Sequence, residues 1–438
     1  FDGCSNSEFT KIDKLGEWNV SNVYYFGYMF AGCRYFKGEG LEKWSLDRVS
    51  SIGAMFQGCG RFDADLSGWG NKLGNVNSLN NIFQNCGSFK GKGLEKWDVR
   101  NVEYFNYAFY RCGNPDLSSW DVSNAREMNS MFSGSRYFSG KKIKGKDGQL
   151  QGGDISKWNV KNVKSFTYMF SGCAALEADL SKWLEGKNNA TNLEGMLLGC
   201  RNFNADISGW DVSKVTSLKN FLAECIQFNQ DLSKWNVEKV EDMSYCFRDC
   251  SNYNKPMDKW KVSKAVSLRG MFQNATKFEQ NLKAWKDHIG NVTDMAEMFQ
   301  NAKVYTGQGL EYWDVRRVTD FSNMFSGGEK FVGNLSSWDV SKGLLFNRMF
   351  NGCTQFAADL TGWNPLAAEN TSEMFNNCTS FRSDLKDWRM PRLLNMSGMF
   401  KWCTYYTADL SDWDVSQVRN FSDAFRGCNA FRSDLSRW

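Results

Sequence analysis

Tryptophan recurs along this chain at positions 18, 44, 69, 97, 120, 158, 183, 210, 235, 260, 285, 313, 338, 363, 388, 413 and 438, and only Trp402 stands outside the series. The intervals run 26, 25, 28, 23, 38, 25, 27, 25, 25, 25 and 28, then 25 five times. A period this long-lived restricts the fold more than any other feature. One unit of this size cannot bury its own apolar face, whereas stacked units share a continuous core. A length of 438 residues would otherwise suggest several domains. The repeat predicts instead one solenoid over residues 1–438, of about 16 repeats after a partial unit at 1–17.

The last full period, WDVSQVRNFSDAFRGCNAFRSDLSRW, displays the unit. Its apolar residues are Trp413, Val415, Val418, Phe421, Phe425, Cys428, Phe431 and Leu435. Three positions before every repeat Trp stands Leu, Ile or Met, as at Leu232, Ile207 and Met257. The resulting Leu-x-x-Trp-x-Val-x-x-Val frame matches the spacing of leucine-rich repeats. Trp and Val two apart predict a short parallel strand with both side chains inward. The following spacings of three and four predict a short helical turn. The expected fold class is therefore an LRR-like repeat solenoid with one short strand and one helical turn per coil.

Irregular intervals map to loops. GNKLGNVNSLNNIF after Trp69 and KDHIGNVTDMAEMF after Trp285 share one two-residue addition, and the short unit narrows at Asn114-Pro115. The long unit carries a basic insertion, 139–153, with Lys141, Lys142, Lys144 and Lys146. Rich in glycine and without apolar periodicity, it reads as an exposed, mobile loop. Neither end has a polar cap and the chain starts at Phe1, so it reads as a piece of a longer protein.

Composition narrows the function classes. A net charge of +4 is small for this length and argues against a dedicated nucleic-acid binder. No apolar run is long enough to span a membrane. The single histidine, His288, sits in the insertion WKDHIGNV and reads as an exposed loop residue. One imidazole leaves little scope for Ser-His, Cys-His or His-metal chemistry. No catalytic residue, cofactor site or metal site is assigned.

The consensus WDVSxVxxMxxMFxxCxxFxxDLSxW resembles the repeat of BspA-like leucine-rich-repeat surface proteins, especially the form in mycoplasma lipoproteins that is classed as a domain of unknown function. Trp210-Asp-Val-Ser, Met295 to Phe299, and Phe228 to Trp235 carry the resemblance, which covers essentially the whole chain. It implies a surface-exposed, non-enzymatic solenoid, in some members linked to adhesion. Frequent Cys where family repeats often carry Ala, and the basic insertion, are departures.

Three columns could carry chemistry. Cys33, Cys59, Cys86, Cys112, Cys173, Cys200, Cys225, Cys250, Cys353, Cys378, Cys403 and Cys428 recur three residues after the unit's Phe. Ser135, Ala275, Ala302 and Gly328 replace them elsewhere, which marks a tight buried position for a small side chain. Disulfides between adjacent coils and metal binding are the alternatives. Four residues before Trp stand Asp65, Asp116, Asp154, Asp179, Asp206, Asp231, Asp359, Asp384, Asp409 and Asp434, read as turn caps, with a calcium ladder as the sharper alternative. The residues flanking Trp are expected outward, so Lys157, Lys182, Lys234, Lys259, Asp211, Asp314, Asp339 and Asp414 form the candidate binding face. Sequons occur at Asn19, Asn189, Asn274, Asn291, Asn334, Asn370, Asn377, Asn395 and Asn420, and are glycosylation candidates if the chain is secreted.

The expected function is adhesion or a structural role at the cell surface or outside the cell, through protein or glycan contacts that include self-association. An intracellular interaction scaffold, or a filament subunit stacking through its ends, is the alternative.

Overall fold

The computed structural model describes residues 1–144 and 150–438. Two compact units emerge, one of residues 1–215 with 224–230 and one of 216–223 with 231–438. Each is a stack of coils built on the same hydrogen-bond scheme.

That scheme is clearest in the Trp338 coil of the second unit. The amides of Phe346, Arg348, Phe350 and Gly352 donate to the carbonyls of Asn370, Ser372, Met374 and Asn376 in the next coil, at 2.8–2.9 Å. Alternate residues thus donate along a parallel ladder. Between those bonds the coil closes on itself in overlapping turns: Met349 donates to Phe346, Asn351 to Arg348 and Cys353 to Phe350. The ladder needs left-handed backbone at two positions per coil. Here they are Arg348 (φ 57°) and Gly352 (φ 76°), ten and fourteen residues after the Trp. The same two positions recur from Tyr28 and Gly32 to Asp423 and Gly427. An L-residue costs about 1 kcal/mol or more there, which accounts for the many Gly and Asn residues in these columns.

This placement corrects the predicted coil. Parallel pairing falls seven residues after the Trp, or nine in the lengthened coils, as single-residue bridges such as Tyr25↔Ser51, Ser165↔Asn192, Asp320↔Leu345 and Asn395↔Asn420. It does not fall on Trp-x-Val. Trp and Val do point inward, and Trp44 (φ −73°, ψ 137°) is extended. The segment read as a helical turn is the ladder itself, because turns with left-handed corners also repeat every three to four residues. Helical geometry appears instead just before the Trp, as 3-10 turns at Leu15–Glu17, Leu41–Lys43, Ser67–Trp69, Leu94–Lys96, Lys283–Trp285 and Leu310–Tyr312.

The core is a set of stacked columns. Adjacent tryptophans lie ring on ring, as in Trp363–Trp388 (6.0 Å, 14°), and a phenylalanine column runs beside them, as in Phe350–Phe375 (5.6 Å, 6°). The indoles of these columns also donate Nε1–H to the carbonyl of the Leu or equivalent in the preceding coil. In the first unit this runs from Trp44 (2.9 Å to Leu15) to Trp210 (2.9 Å to Leu180). In the second it runs from Trp260 (2.8 Å to Leu232) to Trp438 (3.1 Å to Leu410). The Trp is therefore a packing residue and also the partner of a buried carbonyl that would otherwise go unpaired.

The basic insertion is more ordered at its base than a mobile loop. Strand β1 (Ile143–Lys144) pairs antiparallel with β2 (Leu150–Gln151). Lys141 pairs with Glu177, and Lys142 lies 3.7 Å from Asp116. Lys146 lies outside the described residues. The insertion also fills the gap left by the shortened coil before it. A side chain at Gly152 would collide with Asn114, and one at Gly153 with Asp116 and the Leu117 amide. Ser139 accepts the Asn114 amide at 3.4 Å and donates its own N–H to Asn114 Oδ1 at 3.2 Å. Deletion and insertion are complementary neighbours.

Candidate interaction face

The cysteine column is structural. None of the fourteen cysteines is joined in a disulfide, which removes the disulfide alternative. In this column the buried Sγ–H reaches a carbonyl of the preceding coil, as in Cys378 to Phe350 (3.0 Å) and Cys403 to Phe375 (3.0 Å). Ser135 does the same through Oγ to Phe109, at 2.8 Å. Burial pushes the Cys112 and Cys353 thiols up to about 12, and holds the Cys86 and Cys378 thiols well above the usual thiol range. Thiols held protonated in this way are poor nucleophiles and poor metal ligands. Among the described residues, no group of three or more His, Cys, Asp or Glu is placed to hold a metal ion.

The aspartates before the Trp cap turns. Asp65 Oδ1 accepts the Ser67 amide at 2.9 Å, Asp231 the Ser233 amide at 2.8 Å and Asp434 the Ser436 amide at 3.0 Å. Hydrogen bonds from Lys92 and Ser67 hold the Asp65 carboxyl down to about 2.

The face predicted around the Trp is largely committed to the protein itself. Asp211, Asp339 and Asp414 accept the amides of Ser213, Ser341 and Ser416, each at 3.0 Å. Asp314 takes both Nε and Nη2 of Arg316 at 2.8 Å, which holds its carboxyl below the usual range. Lys182 pairs with Glu185 at 2.9 Å. Lys157, Lys234 and Lys259 are exposed. In the second unit Asp314 and Asp339 line an open polar cleft of about 560 Å³, beside Ser263, His288, Asn291 and Arg316. His288 is half-buried there, with Nδ1 2.7 Å from Ser263 Oγ, and is not the exposed loop residue expected.

The sequons fall into two groups. Asn19, Asn189, Asn291, Asn334, Asn377 and Asn420 are exposed, whereas Asn274, Asn370 and Asn395 are half-buried. Asn370 and Asn395 accept the amides of Ser372 and Ser397 within the ladder, at 2.9 and 3.0 Å.

The ladder's outward side was missed by the sequence reading. Its side chains stand seven, nine, ten, thirteen and fourteen residues after the Trp, two further on in the lengthened coils after Trp69, Trp183 and Trp285, and they change from coil to coil. In the first unit they include Tyr25 (75% exposed), Tyr28 (58%) and Tyr107 (41%). In the second, Arg269 bonds Asp294 (2.9 Å), Glu297 (3.2 Å) and Asp320 (2.6 Å), and Arg348 grips Glu373 with two nitrogens. Trp402 also stands here, in the left-handed column at φ 61°, with the Arg426 guanidinium 5.7 Å from its ring centre. Its ring covers Gly427 of the next coil, where a β-carbon would collide with it. Tyr168 covers Gly195 and Tyr245 covers Gly270 in the same way.

These features define a repeat solenoid of the leucine-rich-repeat type. The chain belongs to the family described as "Mycoplasma protein of unknown function, DUF285", which matches it over residues 1–113, 70–149, 146–208, 191–307, 293–407 and 372–438. Among solved structures, a leucine-rich repeat protein from Bacteroides ovatus is 13% identical, with 98% of this chain and 79% of that one covered at a TM-score of 0.25. A leucine-rich repeat protein from Leptospira interrogans is 10% identical, with 72% and 87% covered at 0.15. The TLR13–ssRNA13 complex is 10% identical, with 92% and 74% covered at 0.22. The assignment of fold rests on the ladder and the columns above. No curated protein matches the sequence. Among the described residues, no helix is long and apolar enough to cross a membrane.

Proposed function

We propose that this is a non-enzymatic, surface-displayed repeat protein that binds a protein or glycan partner through the outward side of its ladder. One observation carries this reading. Packing, capping and inter-coil bonding occupy the Trp, Leu, Phe, Cys and Asp columns alike in coil after coil, whereas the ladder's outward side chains vary. Curved repeat scaffolds present variable residues of this kind to partners. The mycoplasma family and the resemblance to surface leucine-rich-repeat proteins support display outside the cell. The exposed sequons would accept glycans in a host that modifies them. The buried free thiols leave an intracellular scaffold as the second reading, since no disulfide requires an oxidising compartment.

The test is adherence of the purified chain to cells and to immobilised matrix proteins. Substitutions on the ladder's outward side should lower binding, and Lys157→Glu with Lys182→Glu should leave it unchanged. The reverse pattern would return the binding role to the residues flanking the Trp. Protease treatment of intact source cells should remove the protein if it is displayed.

A further inference from the structure

The ladder face of the first four coils differs from the face of the second unit in one respect that bears on the ligand. Seven, nine, ten, thirteen and fourteen residues after the Trp in the first two coils, and two residues further on in the lengthened third (Ser78, Asn80, Asn81, Gln84 and Asn85), the ladder face carries only Tyr, Ser, Gly, Ala, Gln and Asn. No charged side chain stands at these positions until Arg111 in the fourth coil. Tyr25 and Tyr28 stand at one edge of this neutral strip, and Tyr104 and Tyr107 at the other. Three coil-to-coil steps of ~4.8 Å separate the two ring pairs, about 14 Å in all. The floor between them is low and rich in amides. Gly53 and Ala54 keep it low in the second coil. Gln57 Nε2 meets Gln84 Oε1 at 2.9 Å, and Asn80 Oδ1 accepts the Asn106 amide at 2.8 Å.

The rings are costly where they stand. Tyr28 (φ 60°) and Tyr107 (φ 58°) occupy left-handed positions that suit Gly or Asn, and Asn81 fills the equivalent position in the third coil. A bulky residue in a disfavoured conformation, with its ring in solvent, points to a role outside the fold. The chemistry of the strip narrows the ligand. A nucleic acid stacked on tyrosines would need Lys or Arg along its phosphates, and the strip has none across three coils. An apolar peptide or helix would need a continuous apolar groove, and amides interrupt this one. Tyrosine offers a flat apolar face with a polar edge, and amides both donate and accept. A chain of pyranose rings has the complementary surface, with C–H faces to stack and hydroxyls to bond.

We propose that the ladder face of the first four coils binds an uncharged polysaccharide chain, with the Tyr25–Tyr28 and Tyr104–Tyr107 ring pairs as stacking platforms. The Asn and Gln side chains between them bond its hydroxyls. This rests on the ladder-face reading above and adds the ligand class and its place.

The experiment is calorimetric titration of the full chain with three hexasaccharide probes: β-1,4-linked glucose, β-1,4-linked N-acetylglucosamine and α-1,6-linked mannose. At least one should bind, and the affinity should change little between low and high salt because no ion pair forms. A variant with Tyr25→Ser, Tyr28→Asn, Tyr104→Ser and Tyr107→Asn takes the residues that neighbouring coils already hold at these positions. It should keep its unfolding midpoint and lose about tenfold or more in affinity, since several stacking contacts go at once. Tyr245→Asn, on the second unit, should bind as the parent does. No binding of any probe, binding indifferent to the four substitutions, or binding lost with salt would each overturn the proposal. If the four substitutions lower cell adherence while no saccharide binds, the ladder-face reading stands and the polysaccharide falls. If they change neither, both fall.

Discussion

The ladder faces of the two units share one backbone and carry opposite chemistry. Around Tyr25, Gln57, Asn81 and Tyr107 the first unit presents rings and amides, whereas around Arg269, Glu297, Arg348 and Glu373 the second presents ion pairs. The amide-to-carbonyl bonds beneath are the same: Phe83 to Ala108 at 2.9 Å in the first unit, Phe350 to Met374 at 2.9 Å in the second. Coil stacking is thus met by backbone bonds and buried columns, and the outward side chains are free to differ. Specificity can therefore reside in these side chains without cost to the fold.

The largest expected effect lies beneath both faces. Trp363→Ala removes a fully buried ring and strands the Leu335 carbonyl, and should cost about 3–5 kcal/mol in urea unfolding. The same substitution at exposed Trp402 should cost far less. Equal costs would break the division into core columns and a free face.

Next comes the charge network. Arg269→Met leaves Asp294, Glu297 and Asp320 without their shared cation, at sites that are only partly exposed. It should cost about 1–3 kcal/mol, and the deficit should shrink in high salt, which screens the charges left without a partner. A deficit that stays constant with salt would mean that packing, not charge, was lost.

A column beneath the face gives a smaller step. Cys378→Ala removes the thiol bond to the Phe350 carbonyl and should cost about 1 kcal/mol. Cys378→Ser should cost less, because Ser135 makes the equivalent bond. In native alkylation Cys4 and Cys428, the two not fully buried, should react first.

The turn caps set the acid limit of both units. Asp65 has a folded pKa of about 2, below its unfolded value, so its contribution is complete above about pH 4 and is lost as pH falls from there toward 2. Asp231, Asp314 and Asp359 are lowered in the same sense. Asp65→Asn should flatten the acid limb of the stability curve, and an unchanged limb would refute the assignment. The smallest effect is a gain. The Tyr305 hydroxyl is buried without a hydrogen-bond partner where other coils hold Phe356 and Phe381, so Tyr305→Phe should stabilise by roughly 1 kcal/mol.

Much of this architecture was legible in the sequence. The Trp, Leu, Phe and Cys columns follow from the period, and the Asp caps from the D-L-S turn. The position of the ladder was not legible from apolar spacing, because Met349, Phe350 and Cys353 stand at the three- and four-residue spacings of a helix. The corrective signal was the column just before the Cys, filled by Gly32, Gly58, Gly352 and Gly427 and by Asn85 and Asn377. Gly and Asn at a fixed position mark left-handed backbone, which a regular helix cannot contain. The predicted binding face had the same blind spot. Asp339 and Asp414 alternate outward from the Trp as expected, but the Ser two residues on draws each carboxylate into a turn.

The same backbone hydrogen-bond scheme supports the face of each unit regardless of what that face carries. Amide hydrogen exchange tests it directly, comparing Phe83 and Asn85 in the first unit with Phe350 and Gly352 in the second. Similar strong protection is expected at all four, unchanged in high salt. Protection confined to the second unit and lost when salt screens its ion pairs would contradict it, and would make the side-chain network the element that holds those coils together.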